Sequence, residues 1–133
     1  MNILIIDDEP EYRSVLKDFL ELCGYRIDEA ENGEDALKQL DRKLPNLIIS
    51  DINMPVMSGE RLYEKIQEEI CAESTIPFVF LSGNIDNTKS IQWLNQGVYF
   101  CLQKPVDLEY LAALINSIFE NAGRTQKFVQ KQL

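Results

Sequence analysis

Leu47-Ile48-Ile49-Ser50-Asp51-Ile52-Asn53-Met54-Pro55 is an apolar run that stops abruptly at a carboxylate and then heads into a proline. It reads as a buried strand with Asp51 at its end. Toward the N-terminus, Ile3-Leu4-Ile5-Ile6 ends the same way in Asp7-Asp8, and toward the C-terminus Phe78-Val79-Phe80-Leu81 ends in Ser82-Gly83. Strand ends that turn polar at one edge of a sheet make a site.

Between these runs lie amphipathic stretches, and the alternation predicts a single α/β domain: a parallel sheet covered on both faces by crossover helices. The order is βα repeated five times. A first strand over about 2–6 is followed by a helix from Pro10, with Tyr12, Val15, Leu16, Phe19, Leu20 and Cys23 at helical spacing and Gly24 at its end. A second strand, 25–30, leads through Asn32-Gly33 into a helix carrying Ala36, Leu37 and Leu40 that stops near Pro45. After the third strand, 47–50, Ser58 is the expected cap of a helix bearing Leu62, Ile66 and Ile70. Pro77 opens the fourth strand, a more polar fourth helix spans about 86–95, and the fifth strand covers 98–102. Asp107 caps a final helix with Leu108, Leu111, Ala112, Leu114, Ile115 and Ile118. The folded domain is expected over 1–121, with 122–133 a tail or the start of a linker.

Composition bounds the function. The chain has 133 residues, 45% of them hydrophobic, enough for one ordinary core and no second domain. No apolar stretch approaches the roughly 20 residues that cross a bilayer, and the opening residues read as a strand rather than a leader, so a cytoplasmic protein is expected. Cys23, Cys71 and Cys101 form no closely spaced pair and read as core cysteines in a reducing compartment. A formal charge of −9 disfavours direct binding to nucleic acid. Histidine is absent, which removes His metal ligands and His general bases.

In an open parallel sheet, functional groups gather outside the carboxyl ends of the strands. Asp7 and Asp8 follow the first strand, Asp51 the third, Ser82 the fourth and Lys104-Pro105 the fifth. Three carboxylates with a backbone carbonyl nearby suit a hard, octahedral cation such as Mg²⁺. A lysine and a hydroxyl supply charge and hydrogen bonds to phosphate oxygens. The combination points to phosphoryl transfer onto a carboxylate.

Asp7-Asp8, Asp51 with Met54-Pro55 and Gly59, then Ser82, then Lys104-Pro105, in that order and spacing, make the chain resemble a response-regulator receiver domain, the phosphoacceptor module of two-component signalling. The resemblance covers about 2–121. It implies a doubly wound flavodoxin-like (βα)5 fold with strand order 2-1-3-4-5. It makes Asp51 the phosphoacceptor, Asp8 and Asp51 direct Mg²⁺ ligands, Asp7 a ligand chiefly through water, and Asn53 a ligand through its main-chain carbonyl. Ser82 takes the position of the switch hydroxyl, and Lys104 that of the cation neutralising the phosphoryl group, with a cis Lys104-Pro105 bond. The implied partners are a histidine kinase or phosphotransfer protein upstream and a protein or output domain downstream, with a homodimer through the fourth helix, fifth strand and fifth helix also in view. The implied role is a switch rather than an enzyme.

Other readings meet specific obstacles. An aspartyl-phosphate phosphohydrolase needs a second aspartate two residues after the nucleophile, and that position is Asn53, an amide that cannot shuttle a proton. A flavin-binding relative needs a hydroxyl- and glycine-rich loop where this chain has Asp7-Asp8-Glu9-Pro10. A receiver that binds Mg²⁺ but acts as an interaction module without phosphorylation is the remaining alternative. Two positions depart from the family pattern. Three residues before Lys104, where the family usually has Tyr or Phe, stands Cys101, and on the fourth helix a small residue is replaced by Trp93. Trp93 is expected either to fill space left by Cys101, so that the switch is read out there, or to stand half-exposed at a partner interface. Gly83, where alanine is common, is expected to loosen the Ser82 loop.

Overall fold

The computed structural model describes residues 1–69, 76–84, 92–94, 98 and 100–122. In strand β1 (Asn2–Ile6), Ile3 and Ile5 point to one face and Leu4 and Ile6 to the other, and all four are buried. A strand buried on both faces requires helices on both, which forces a three-layer arrangement. Strands β2 (Arg26–Ala30), β3 (Leu47–Asp51), β4 (Phe78–Ser82) and β5 (Phe100–Gln103) complete a five-stranded parallel sheet in the order β2-β1-β3-β4-β5. This is the expected doubly wound topology. Helices α1 (Pro10–Leu22) and the C-terminal helix (Leu108–Ala122) cover one face through Leu16, Leu20, Leu111 and Ile115. Helices α2 (Gly33–Arg42) and α3 (Gly59–Glu69) cover the other through Ala36, Leu40, Leu62 and Ile66.

Helix starts follow from local chemistry. Pro10 opens α1, where its missing N–H leaves nothing unsatisfied. The side chains of Asn32, Ser58 and Asp107 accept the N–H groups of Asp35 (2.8 Å), Arg61 (3.1 Å) and Tyr110 (3.1 Å), capping α2, α3 and the C-terminal helix. Asn32, which reads from sequence as a turn residue, is thus a helix cap. After α1 the chain reverses at Gly24, whose φ of 97° suits a residue without a Cβ.

The register aligns the functional edge. Ile6 pairs with Ser50, so Asp7 and Asp51 leave adjacent strands at the same level; Asp51 pairs with Leu81, and Ser82 with Gln103. Strands β1, β3, β4 and β5 therefore bring polar residues at or just past their ends to one rim.

Several expectations are adjusted. β3 runs through Asp51, so the carboxylate sits within the ladder rather than beyond it. β5 begins at Phe100 rather than 98, because the Val98 N–H donates to the Trp93 carbonyl (3.0 Å) instead of to a strand. Cys23 is exposed, not a core residue: it follows the last turn of α1, with its N–H bonded back into the helix. Cys101 is half-buried, and Cys71 lies outside the described residues. Val15, on the expected apolar stripe of α1, is exposed. Of the expected fourth helix, 92–94 are helical and the remainder lies outside the described residues, as do Ile70, Gly97 and the tail at 123–133. Among the described residues no helix is long and apolar enough to cross a membrane.

Candidate functional site

Asp7 is fully buried one residue past β1, and its backbone N–H donates to the Ala30 carbonyl at the end of β2 (3.1 Å). One carboxylate oxygen, Oδ1, accepts the Glu9 N–H (2.9 Å), which leaves Oδ2 to face the rim. The Arg13 guanidinium, held by Glu29 of β2 at 3.1 Å, donates to the Asp7 carbonyl and braces the turn from below. Asp8, the next residue, is exposed. Asp51 is only 6% exposed, and Oδ1 accepts the Asn53 N–H at 3.3 Å.

Oxygen atoms of Asp7, Asp8 and Asp51 lie within 4.8 Å of one another. An all-oxygen set from two buried carboxylates and one exposed one fits Mg²⁺, which favours hard oxygen ligands and keeps some of its water. The electrostatics agree with that fit. Burial pushes the Asp51 carboxyl above its ordinary value, Lys104 opposes the rise and the charge of Asp7 adds to it. A cation among these oxygens relieves both the desolvation and the repulsion.

Lys104 reaches this cluster from the end of β5 across a cis Lys104-Pro105 bond. Its Nζ lies 2.7 Å from Asp7 Oδ2, 3.2 Å from Asp51 Oδ2 and 3.4 Å from Glu9 Oε1. Burial works to lower its pKa, but the hydrogen bond and charge of Asp7 and the charge of Asp51 together push it up. The two carboxylates thus favour the charged form of the ammonium.

Ser82 is joined to this group through the sheet, because its carbonyl accepts the Lys104 N–H (2.8 Å). Its hydroxyl is turned toward its own loop, donating to the Asn84 carbonyl (3.2 Å) and accepting the Asn84 N–H (3.3 Å). Asn53 is exposed in the turn after Asp51. Two expected residues stand apart from the rim. Trp93 is buried, with its ring edge-on to Phe80 at 5.0 Å, and Phe80 pairs across the ladder with Cys101. Of the two expectations for Trp93, the half-exposed one is overturned: it is a core residue in the cluster against which Cys101 packs.

Three residues around the rim carry no sequence mark of their part in it. Glu9 stands in the charged loop after the first strand, Tyr12 on the apolar stripe of α1, and nothing in the sequence singles out Arg13, yet Glu9 and Tyr12 touch Lys104 and Arg13 holds Asp7. Only the fold brings residues 9–13 against residue 104.

The comparisons with known proteins agree with this architecture. The response regulator receiver domain family matches residues 3–116. The sensor protein EvgS of Escherichia coli K12 is 35% identical over 122 residues, covering 92% of this chain and 10% of that protein. Response regulator Rre1 of Synechocystis is 34% identical over 119 residues, 89% of this chain and 51% of that one. The chain thus spans between a tenth and half the length of these relatives. The crystal structure of a two-component response regulator from Clostridium difficile superposes with a TM-score of 0.84 at 31% identity, covering 92% of this chain and 98% of that one. The chain belongs to the response regulator receiver domain family of two-component systems.

Proposed function

We propose that this domain accepts a phosphoryl group on Asp51, from the phosphohistidine of a histidine kinase or phosphotransfer protein or from a small phosphodonor, in a Mg²⁺-dependent reaction. The observation that carries the reading is the convergence of Asp7, Asp8 and Lys104 on the nearly buried Asp51 carboxylate. Asp8 and Asp51, the Asn53 carbonyl and, through water, Asp7 would hold Mg²⁺, which would compensate the charge of the phosphoryl oxygens. In the transfer, an Asp51 oxygen forms the new bond to phosphorus while the P–N bond of the donor breaks, and the imidazole leaves with the bonding pair. Burial favours this chemistry, because a poorly solvated carboxylate needs less desolvation to attack. Lys104, already charged and 2.7 Å from Asp7, binds the product's added charge.

Signalling follows from groups that contact the phosphoryl group differently before and after transfer. Ser82 meets that condition: among the described residues its hydroxyl bonds to Asn84 of its own loop, so it exchanges local hydrogen bonds for one to the phosphoryl oxygens. The output surface is the fourth helix, β5 and the C-terminal helix, where Phe100 and Tyr110 are exposed and suit a downstream protein, an output domain or a second copy. The switch works in the cytoplasm, where kinases draw on ATP, and its self-directed transfer and hydrolysis serve signalling rather than turnover. The domain proper spans 1–121.

Incubation with a radiolabelled small phosphodonor and Mg²⁺ tests this reading. Label is expected on the wild type, none on Asp51→Asn, and slower labelling without signalling on Lys104→Ala. Equal labelling of Asp51→Asn removes the assignment, and absence of label on the wild type with a kinase or a small donor favours a receiver that works unphosphorylated.

A further inference from the structure

Tyr12 makes two contacts with a segment far away in the chain. Its ring lies against the Lys104 ammonium, with Nζ 4.6 Å from the ring centroid, and its hydroxyl accepts the Val106 N–H at 3.3 Å. The two contacts bracket Pro105, so one side chain of α1 holds both ends of the Lys104-Pro105-Val106 segment. We propose that Tyr12 is a positioning residue for Lys104, clamping it over the rim from the helix side; this rests on the phosphotransfer function proposed above.

The need for such a clamp follows from the other partners of Lys104. Asp7 and Asp51 are also the oxygens offered to a divalent cation, and Glu9 is mostly solvated at 65% exposure, so every anionic hold on the ammonium is shared with metal or weakened by water. The face of an aromatic ring attracts an ammonium through its quadrupole and is no ligand for Mg²⁺. Tyr12 is therefore the one described partner of the Lys104 ammonium whose attraction is unaltered when the acidic cluster is filled. The Val106 hydrogen bond adds direction, because it fixes the backbone just past Pro105 relative to α1. A tyrosine that merely fills core space needs neither contact.

Two variants separate the ring from the hydroxyl, and a spectroscopic readout separates positioning from packing. In the full chain the Lys104 Hε resonances are expected to be shifted upfield by the ring, with and without Mg²⁺. Tyr12→Phe is expected to keep that shift, to label within about two-fold of wild type and to speed exchange of the Val106 amide. Tyr12→Leu is expected to lose the shift and to label on the order of ten-fold more slowly, the scale of a desolvated cation–π contact. Combined with Lys104→Ala, Tyr12→Leu is expected to cost nothing further. Wild-type labelling by Tyr12→Leu, an unmoved Lys104 Hε signal or full additivity with Lys104→Ala overturns the proposal. Should Tyr12→Leu fail to fold, Tyr12→Phe decides, and an unchanged Val106 exchange rate then counts against the clamp. If the wild type takes no label at all, the phosphotransfer reading falls, and the Lys104 shift in the two variants still decides whether Tyr12 holds the ammonium.

Discussion

Asp51 is held in tension between burial, which disfavours its charge, and Lys104, which supports it. Burial prevails with help from Asp7, and the folded-state pKa lies above the ordinary 3.8. Between those two values the folded chain binds more protons than the unfolded one, so this group's contribution to stability falls as pH rises through the window. At neutral pH the ionised Asp51 is a net cost. Asp51→Asn is accordingly expected to raise the Tm at pH 7. The gain should shrink below pH 4 and with added Mg²⁺; thermal melts across pH, with and without Mg²⁺, check it, and a lower Tm for the variant at pH 7 contradicts the cost. Strain is stored nearby at Val56, whose φ is 72° and which centres a three-residue turn closed by the Met57 N–H on the Pro55 carbonyl (2.7 Å). A β-branched residue pays about 1–3 kcal/mol there, and Val56, being 72% exposed, recovers little by burial. Val56→Gly is expected to stabilise the domain by about 1 kcal/mol in urea unfolding, net of glycine's extra backbone entropy.

At the scale of elements, the loop between β3 and α3 includes a close backbone contact at its end. The Gly59 N–H donates to the Ile52 carbonyl (2.7 Å), and a Cβ on Gly59 would collide with the Asp51 carbonyl oxygen and stand 3.0 Å from Ile52 Cα. Helix α3 thus begins with its first residue pressed against the backbone of Asp51. Gly59→Ala is expected to cost about 1–3 kcal/mol of stability and to weaken Mg²⁺ binding, because any relief moves Asp51. Gly83 is the opposite case, since a Cβ there meets nothing within 4 Å. Gly83→Ala is expected to stabilise by about 0.4–1 kcal/mol through the unfolded chain, without loss of Mg²⁺ affinity. Denaturant titrations together with Mg²⁺ titrations of both variants distinguish the two. A Gly59→Ala protein with unchanged Mg²⁺ affinity shows that Asp51 does not depend on this contact.

Across the whole molecule, strand β4 links the rim to the aromatic core. Phe78, Phe80 and Ser82 alternate onto one face, and the rings of Tyr63, Phe78, Phe80 and Trp93 meet edge-on in sequence at 5.0–5.1 Å. Trp93 therefore touches Phe80, two positions before Ser82. If Ser82 turns toward a phosphoryl group, the end of β4 shifts and the Trp93 surroundings change. Tryptophan emission is expected to change in wavelength or intensity when Mg²⁺ and beryllofluoride are added, and not to change in Asp51→Asn. An unchanged spectrum in a protein shown by other means to bind the mimic removes Trp93 from the signalling path.

The sequence determined the fold class and the principal rim residues for one physical reason: in a parallel sheet every strand ends at the same edge, so apolar runs that stop in Asp7, Asp51, Ser82 and Lys104 place those groups together. Period-two and helical patterns also located most elements, because each buries a continuous apolar stripe. What the tertiary structure alone decided are contacts between distant segments and backbone conformations set by them: Tyr12 against Lys104, Arg13 on the Asp7 carbonyl, Gly59 on Asp51 and the positive φ of Val56. Burial likewise needed the fold, exposing Cys23 and enclosing Trp93. Local patterning records which face of an element is apolar, whereas the neighbour that face or turn will meet depends on register and packing across the whole sheet.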